Sequence, residues 1–106
     1  MKGDGVAKNG SAIINGKVVR SGGMRVLRAL FELGRPVIAP EVARYLGNKP
    51  SVQSIYTVLT RLEVTQQLVT HNETTVMVLG ASLPRVVWEL THPAKTFFAS
   101  LKKQAK

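Results

Sequence analysis

The stretch Ser51-Val-Gln-Ser-Ile-Tyr-Thr-Val-Leu-Thr-Arg-Leu-Glu63 restricts what this chain can fold into more than any other segment. Val52, Ile55, Leu59 and Leu62 recur at spacings of three and four, so they fall on one face of a helix. The spacing predicts a helix over 51–63 with that face buried. The opposite face holds Gln53, Ser54, Tyr56, Thr57, Thr60 and Arg61, with no carboxylate before Glu63. A helix made only for solubility usually mixes Glu and Lys on its outer face. Short hydrogen-bonding side chains, one cation and no negative charge instead suit a helix that lies against an anionic, hydrogen-bonding surface. The major groove of DNA is such a surface. The bland alternative is a solvated helix face.

The flanking sequence gives this helix a context. Residues 1–10 are rich in Gly and Lys with little to bury, and read as a mobile tail. Asn15-Gly16 separates two short β-branched runs within residues 11–20, which predicts a small hairpin, or at least a turn with one strand docked on the body. Ser21 and Gly22 open a first helix whose apolar positions are Met24, Leu27, Leu30 and Phe31, and Gly34 stops it. Residues 36–39 form a short extended link. Pro40 then suits the first turn of a second helix, with Val42, Ala43 and Leu46 inward and Gly47-Asn48 at its end. Lys49-Pro50 makes the turn, and Ser51 caps the third helix or sits one position inside it.

After Glu63 the apolar period changes. Residues 68–71, 76–79 and 85–90 are β-rich and read as two or three strands, split by a polar turn near Asn72-Glu73-Thr74 and by the stretch Gly80 to Pro84. Thr91 caps a last helix that has Pro93 in its first turn and an apolar face of Ala94, Phe97, Phe98 and Leu101. Two helices joined by a tight turn and followed by a β-hairpin make the winged helix-turn-helix plan. The expected class is α+β: a three-helix core with a β-wing, an N-terminal β-hairpin or strand, and a C-terminal helix. The expected organisation is a tail over 1–10, a hairpin over 11–20, the winged-helix unit over 21–92 and the last helix over 93–106.

Charge narrows the partner. The chain has 106 residues, with Lys plus Arg outnumbering Asp plus Glu by 15 to 6 and a net charge of +9. Such an excess opposes compaction by self-repulsion and is relieved when a polyanion neutralises it. Keeping the protein soluble is the alternative role. There is no cysteine, so neither a disulfide nor thiolate chemistry is available. No apolar run has the length of a signal peptide or a membrane span, and the expected location is the cytoplasm.

Ser54-Ile-Tyr-Thr-Val-Leu-Thr-Arg-Leu-Glu63 resembles the recognition helix of winged-helix repressors of the PadR, MarR and penicillinase-repressor (BlaI-like) type. Ala39-Pro-Glu-Val-Ala-Arg-Tyr-Leu46 is similar to their preceding helix. Val87-Trp-Glu-Leu-Thr91 is similar to their last wing strand running into a terminal helix. The resemblance covers roughly Met24 to Leu101. It implies a sequence-specific double-stranded DNA-binding protein, a homodimer acting as a transcriptional repressor. In those families the terminal helix often builds the dimer, which points to Phe97, Phe98 and Leu101. Adjacent phenylalanines point about 100° apart, so one can face the core and the other a partner. Two departures stand out. The family's glycine after the Leu-Glu pair is missing from Val64-Thr-Gln-Gln-Leu68, which also carries one extra residue. The wing is weakly basic, with only His71 and Arg85 to supply charge.

Gln53, Thr57 and Arg61 are spaced by four and share a stripe. Gln can bond adenine and Arg guanine, each through two hydrogen bonds, while Thr can meet a thymine methyl or a phosphate. Ser51 and Ser54 lie at the helix N-terminus, which favours phosphate. Tyr56 reads either as a packed ring with its hydroxyl at a phosphate or as a base reader. Arg44 and Lys49 flank the turn as backbone contacts, and His71 and Arg85 serve the wing. Arg25 and Arg28 either join the backbone contacts or are solvated. The two histidines have no accompanying ligand cluster, so no metal site is expected. No catalytic triad, carboxylate pair or phosphate-binding glycine loop is present, and the sequence predicts no enzyme, cofactor or small-molecule ligand. Two other classes remain open: an accessory DNA-binding protein of replication or plasmid partition, and a winged helix whose same face meets another protein.

Overall fold

The structure is a computed structural model and describes residues 10–14 and 16–104. Residues 1–9, on which the expected tail falls, Asn15 of the expected Asn15-Gly16 turn, and residues 105–106 lie outside the described residues. The order is β1 (Ala12–Ile14), β2 (Lys17–Val19), α1 (Ser21–Leu33), α2 (Ala39–Tyr45), α3 (Val52–Arg61), a π-turn (Leu62–Gln66), β3 (Val69–Val78), β4 (Ala81–Leu90) and α4 (His92–Gln104). The class is α+β, with four helices and two small antiparallel sheets.

α1 stops where its glycine stands. Gly34 takes φ 70° and its N–H bonds the Leu30 carbonyl, a left-handed cap that costs glycine little. α2 begins with Pro40 in its first turn, and Glu41 reaches back to accept the Ile38 N–H. Gly47 and Asn48 both take positive φ and turn the chain toward α3. Ser51 caps α3 by accepting the Ser54 N–H at 3.1 Å.

The core lies between α1, α2, α3 and the base of the β3–β4 hairpin. Leu27, Val42, Ile55, Leu59, Leu68 and Val69 are its most deeply buried large side chains, along with Val19 and Val37. The N-terminal hairpin belongs to the same core through Ala12, Ile14 and Val19, with Ala12 opposite Val19 in register. Phe98 of α4 also enters it, stacked on Phe31 at 5.5 Å. Within α1, Val26 and Ala29 are buried beside the expected Met24, Leu27 and Leu30, whereas Phe31 is only partly buried.

Two expectations are corrected. Of the two or three strands expected after α3, the segment holds two, both longer than the runs read from sequence, and the expected turn near Asn72-Glu73-Thr74 does not form. β3 runs without a break through Asn72-Glu73-Thr74, and only Leu79-Gly80 turns, with φ 53° and 82°. Such a two-residue turn with both central φ positive matches strand twist, so it closes the hairpin in spite of the leucine. The polar residues that looked like a turn are exposed mid-strand positions of a hairpin reaching beyond the core, and the molecule extends 54 × 28 × 25 Å. Val52 is also not inward: it is 42% exposed, and the buried stripe of α3 is Ile55 and Leu59, continued by Leu62. Val52 is the first residue of the helix, before the chain has closed on the core.

At the base, Val37 joins the hairpin. Its N–H bonds the Trp88 carbonyl at 3.0 Å and its carbonyl accepts the Trp88 N–H at 2.7 Å. A single-residue bridge thus lies beside β4, on the side away from β3.

Candidate nucleic-acid interface

α3 presents Gln53, Tyr56, Thr57, Thr60 and Arg61 on its exposed side. With Val52, Val64 and Thr65 these residues line one shallow depression that contains no carboxylate. The local bonding settles how several of them can act. The Thr57 hydroxyl donates to the Gln53 carbonyl at 3.1 Å, so its proton is used within the helix. What it offers outward is a methyl group and an acceptor oxygen. Ser51 and Ser54 are tied to each other, Oγ to Oγ at 3.1 Å, and frame the N-terminus of α3. Tyr56 is half-exposed and stands edge-on to Trp88, with ring centroids 5.7 Å apart and planes at 86°. Its ring is packed on one side while much of the residue remains exposed.

The end of α3 resolves the missing glycine. The extra residue is absorbed by the π-turn, in which the N–H groups of Gln67 and Leu68 both bond the Leu62 carbonyl. Gln67 then occupies the left-handed region with φ 57° and ψ 36°, the conformation usually left to glycine. The turn is braced from outside. Lys17 Nζ donates to the Thr65 carbonyl and Gln66 Nε2 to the Val18 carbonyl, both at 2.9 Å, and Thr65 Oγ1 donates to the Arg61 carbonyl. The N-terminal hairpin therefore fixes the exit of α3, a role that its short sequence did not signal.

His71 lies at the base of the hairpin, not at a charged tip. Its Nδ1 is 2.7 Å from Glu63 Oε2, its N–H donates to the same oxygen at 3.2 Å, and its ring lies 5.1 Å from Trp88. Glu63 is thereby turned toward His71 and not toward Arg61, which has no ion-pair partner among the described residues. Arg85 sits farther out on β4, opposite Thr74. Arg44, in the last turn of α2, and Lys49, in the turn, are exposed. Arg25 and Arg28 are exposed on α1.

Gln53, Tyr56, Thr57 and Arg61 are thus brought into one depression, with Ser51 and Ser54 at the helix start and Arg44 and Lys49 in the preceding helix and turn. His71 is joined to Tyr56 only through Trp88, and Arg85 stands apart. Phe98 is in the monomer's core, which leaves Phe97 and Leu101 partly buried at its margin. Val52, Val64 and Thr65 were not anticipated as parts of the depression. The extra residue after Glu63 was the available signal, because a π-turn rotates the later residues away from the α-helical phase. Near the ionic surface, Arg35 holds Glu41 with Nη2 to Oε2 at 2.8 Å. That hydrogen bond is the main reason the Glu41 carboxyl lies below its ordinary pKa and the Arg35 guanidinium above its own.

Among the described residues no three His, Cys, Asp or Glu side chains gather as a metal site would need, and no helix is long and apolar enough to cross a membrane. Comparison with protein-family models, curated proteins and solved structures gives no match to this chain.

Proposed function

We propose that this chain is a winged helix-turn-helix protein that binds double-stranded DNA with sequence preference, reading the major groove with α3 and acting as a transcriptional repressor. The element order supports the fold: α1, the bridge residue Val37, α2, a turn, α3, then the paired β3 and β4. What carries the function is the exposed, carboxylate-free face of α3 in a chain of net charge +9. Gln53 and Arg61 supply bidentate groups for base edges, and Thr57 supplies a methyl group with an acceptor. Ser51, Arg44 and Lys49 lie where phosphates would pass the helix start and the turn. Packing of Tyr56 on Trp88 gives the face a rigid edge, which lowers the entropy lost on binding. Two copies on a palindromic site would set their α3 helices in successive major grooves.

The test is a binding titration on genomic fragments across a salt series. The logarithm of affinity should fall linearly with the logarithm of salt, with a slope of about −0.9 per neutralised phosphate. Arg44→Ala should make that slope shallower by about one unit without changing which sites are preferred. No binding at low salt, or a slope indifferent to both Arg44→Ala and Arg61→Ala, would overturn the reading.

A further inference from the structure

The outer part of the β3–β4 hairpin carries backbone and side-chain chemistry that DNA reading by α3 does not use. At the base, Trp88 turns its N–H and carbonyl away from β3, to Val37, and His71 turns its N–H away from β4, to Glu63. Backbone direction alternates along an antiparallel ladder. From Trp88 outward, Val86, Pro84 and Ser82 therefore aim their backbone groups off the free edge of β4. From His71 outward, Glu73, Thr75 and Met77 do the same on β3, in the register that pairs Thr75 with Pro84. The two edges are not equivalent. Pro84 has no N–H, so the β4 edge is interrupted at its middle. The β3 edge keeps every donor and acceptor, and Glu73, Thr75 and Met77 are all exposed.

The same segment is uncharged. No ionisable residue lies between Glu73 and Arg85 in a chain of net charge +9, while Met77, Val78, Leu79 and Leu83 are exposed there. A polyanion finds nothing to neutralise on this surface. A second, equally basic copy finds here a stretch on which it meets no cation. A two-stranded hairpin projecting into water is also marginal by itself and gains from further strands.

We propose that β3 is a dimer edge: two copies pair β3 with β3 antiparallel about a two-fold axis near Thr75, forming a four-stranded sheet. With Thr75 on the axis, Glu73 stands opposite the partner's Met77, so no like charges are opposed. Val76 and Leu83, paired in register on one face, become part of a continuous apolar surface. The edge is shorter than a standard interface, so the dimer is a weak one whose population depends on protein concentration. Pairing through β3 is independent of DNA binding, but its geometry suits it. The axis stands perpendicular to the sheet, so both α3 helices lie on one side of it. The two His71 positions fall roughly 30 Å apart, close to one turn of DNA.

Sedimentation velocity of the full chain without DNA, over about 1–200 µM, tests the proposal across the range in which so small an interface dissociates. The wild type should pass from the 11.5 kDa monomer to a dimer. Thr75→Lys places a charge on the edge and should remain monomeric throughout. Thr75→Pro removes the outward N–H and no bond within the hairpin, and should do the same. Circular dichroism and Trp88 emission matching the wild type show that a variant is folded. Phe97→Ala should leave the dimer intact. A wild type that stays monomeric, a dimer that survives folded Thr75→Lys, or a dimer lost with Phe97→Ala would each overturn the proposal. So would a monomer whose DNA affinity drops in Leu79→Ser, which would give the tip to the DNA.

Discussion

Replacing Gln67 by glycine should stabilise the protein. Gln67 holds φ 57° and ψ 36°, where the Cβ of an L-residue crowds the following carbonyl at a cost of about 1–2 kcal/mol. The side chain is exposed and makes no hydrogen bond among the described residues, so its removal forfeits little. The backbone bonds remain: the residue's N–H still reaches the Leu62 carbonyl and its carbonyl still accepts the Thr91 hydroxyl at 2.9 Å. Against the relief stands the greater freedom of glycine in the unfolded chain, about 0.4–1 kcal/mol. The net expectation is a gain of about 0.5–1 kcal/mol, or about 2–8 °C in Tm for a domain of this size. Thermal and urea denaturation followed by circular dichroism measure it. Gln66→Gly is the matched control, since it deletes the bond to the Val18 carbonyl and loosens the π-turn, and it should lower Tm. A Gln67→Gly protein less stable than the wild type would refute the account of how α3 ends.

Other expected outcomes concern the faces of α3 and the ionic surface. Leu59 is fully buried, so Leu59→Ala should cost about 2–5 kcal/mol in urea unfolding, while Val52→Ala, at an exposed site, should stay within about 0.5 kcal/mol; equal effects would mean that the inner and outer faces are misassigned. The hydrogen bond from Arg35 lowers the folded pKa of Glu41 below that of the unfolded chain, so its contribution is present above the unfolded value and fades as pH falls through the folded one. The stability gap between wild type and Arg35→Gln should accordingly be small, shrink below about pH 4 and shrink in high salt, because the pair is at the surface; a gap that grows on acidification contradicts that sign. On the DNA-binding proposal, Gln53→Ala should relax choice at one base pair by about 1–3 kcal/mol in competition binding and leave Tm unchanged; an unaltered site preference removes Gln53 from the reading set.

Local rules carried much of the helical architecture into the sequence. Gly34, Pro40 and Ser51 mark a stop, a first turn and a cap because each acts through its own backbone or nearest neighbours. The Asn15-Gly16 pair predicted strands that do form on either side of it. The strands after α3 were harder to read. Asn72-Glu73-Thr74 has turn chemistry locally, yet each of these residues is held extended by a partner on β4, which the sequence alone does not pair with it. Gly80 was visible as a turn residue, but Leu79 at φ 53° was not, since nothing about leucine favours that conformation.

At the candidate site, the chemistry of α3 was legible along the chain: which side chains are polar, that no carboxylate precedes Glu63, and that the protein is strongly basic. These are properties of residue type and helical spacing and need no long-range information. The phase of the helix and its surroundings came from long-range packing. Packing of Ile55 and Leu59 left Val52 outside, and the π-turn carried Val64 and Thr65 into the same depression. Glu63 turned to His71, bonds from the N-terminal hairpin 48 residues away fixed the helix exit, and Phe98 took the core-facing place that the Phe97-Phe98 pair left open. Each of these depends on which distant groups meet across the core, and that is settled by burial and hydrogen-bond satisfaction over the whole chain, not by any local run of residues.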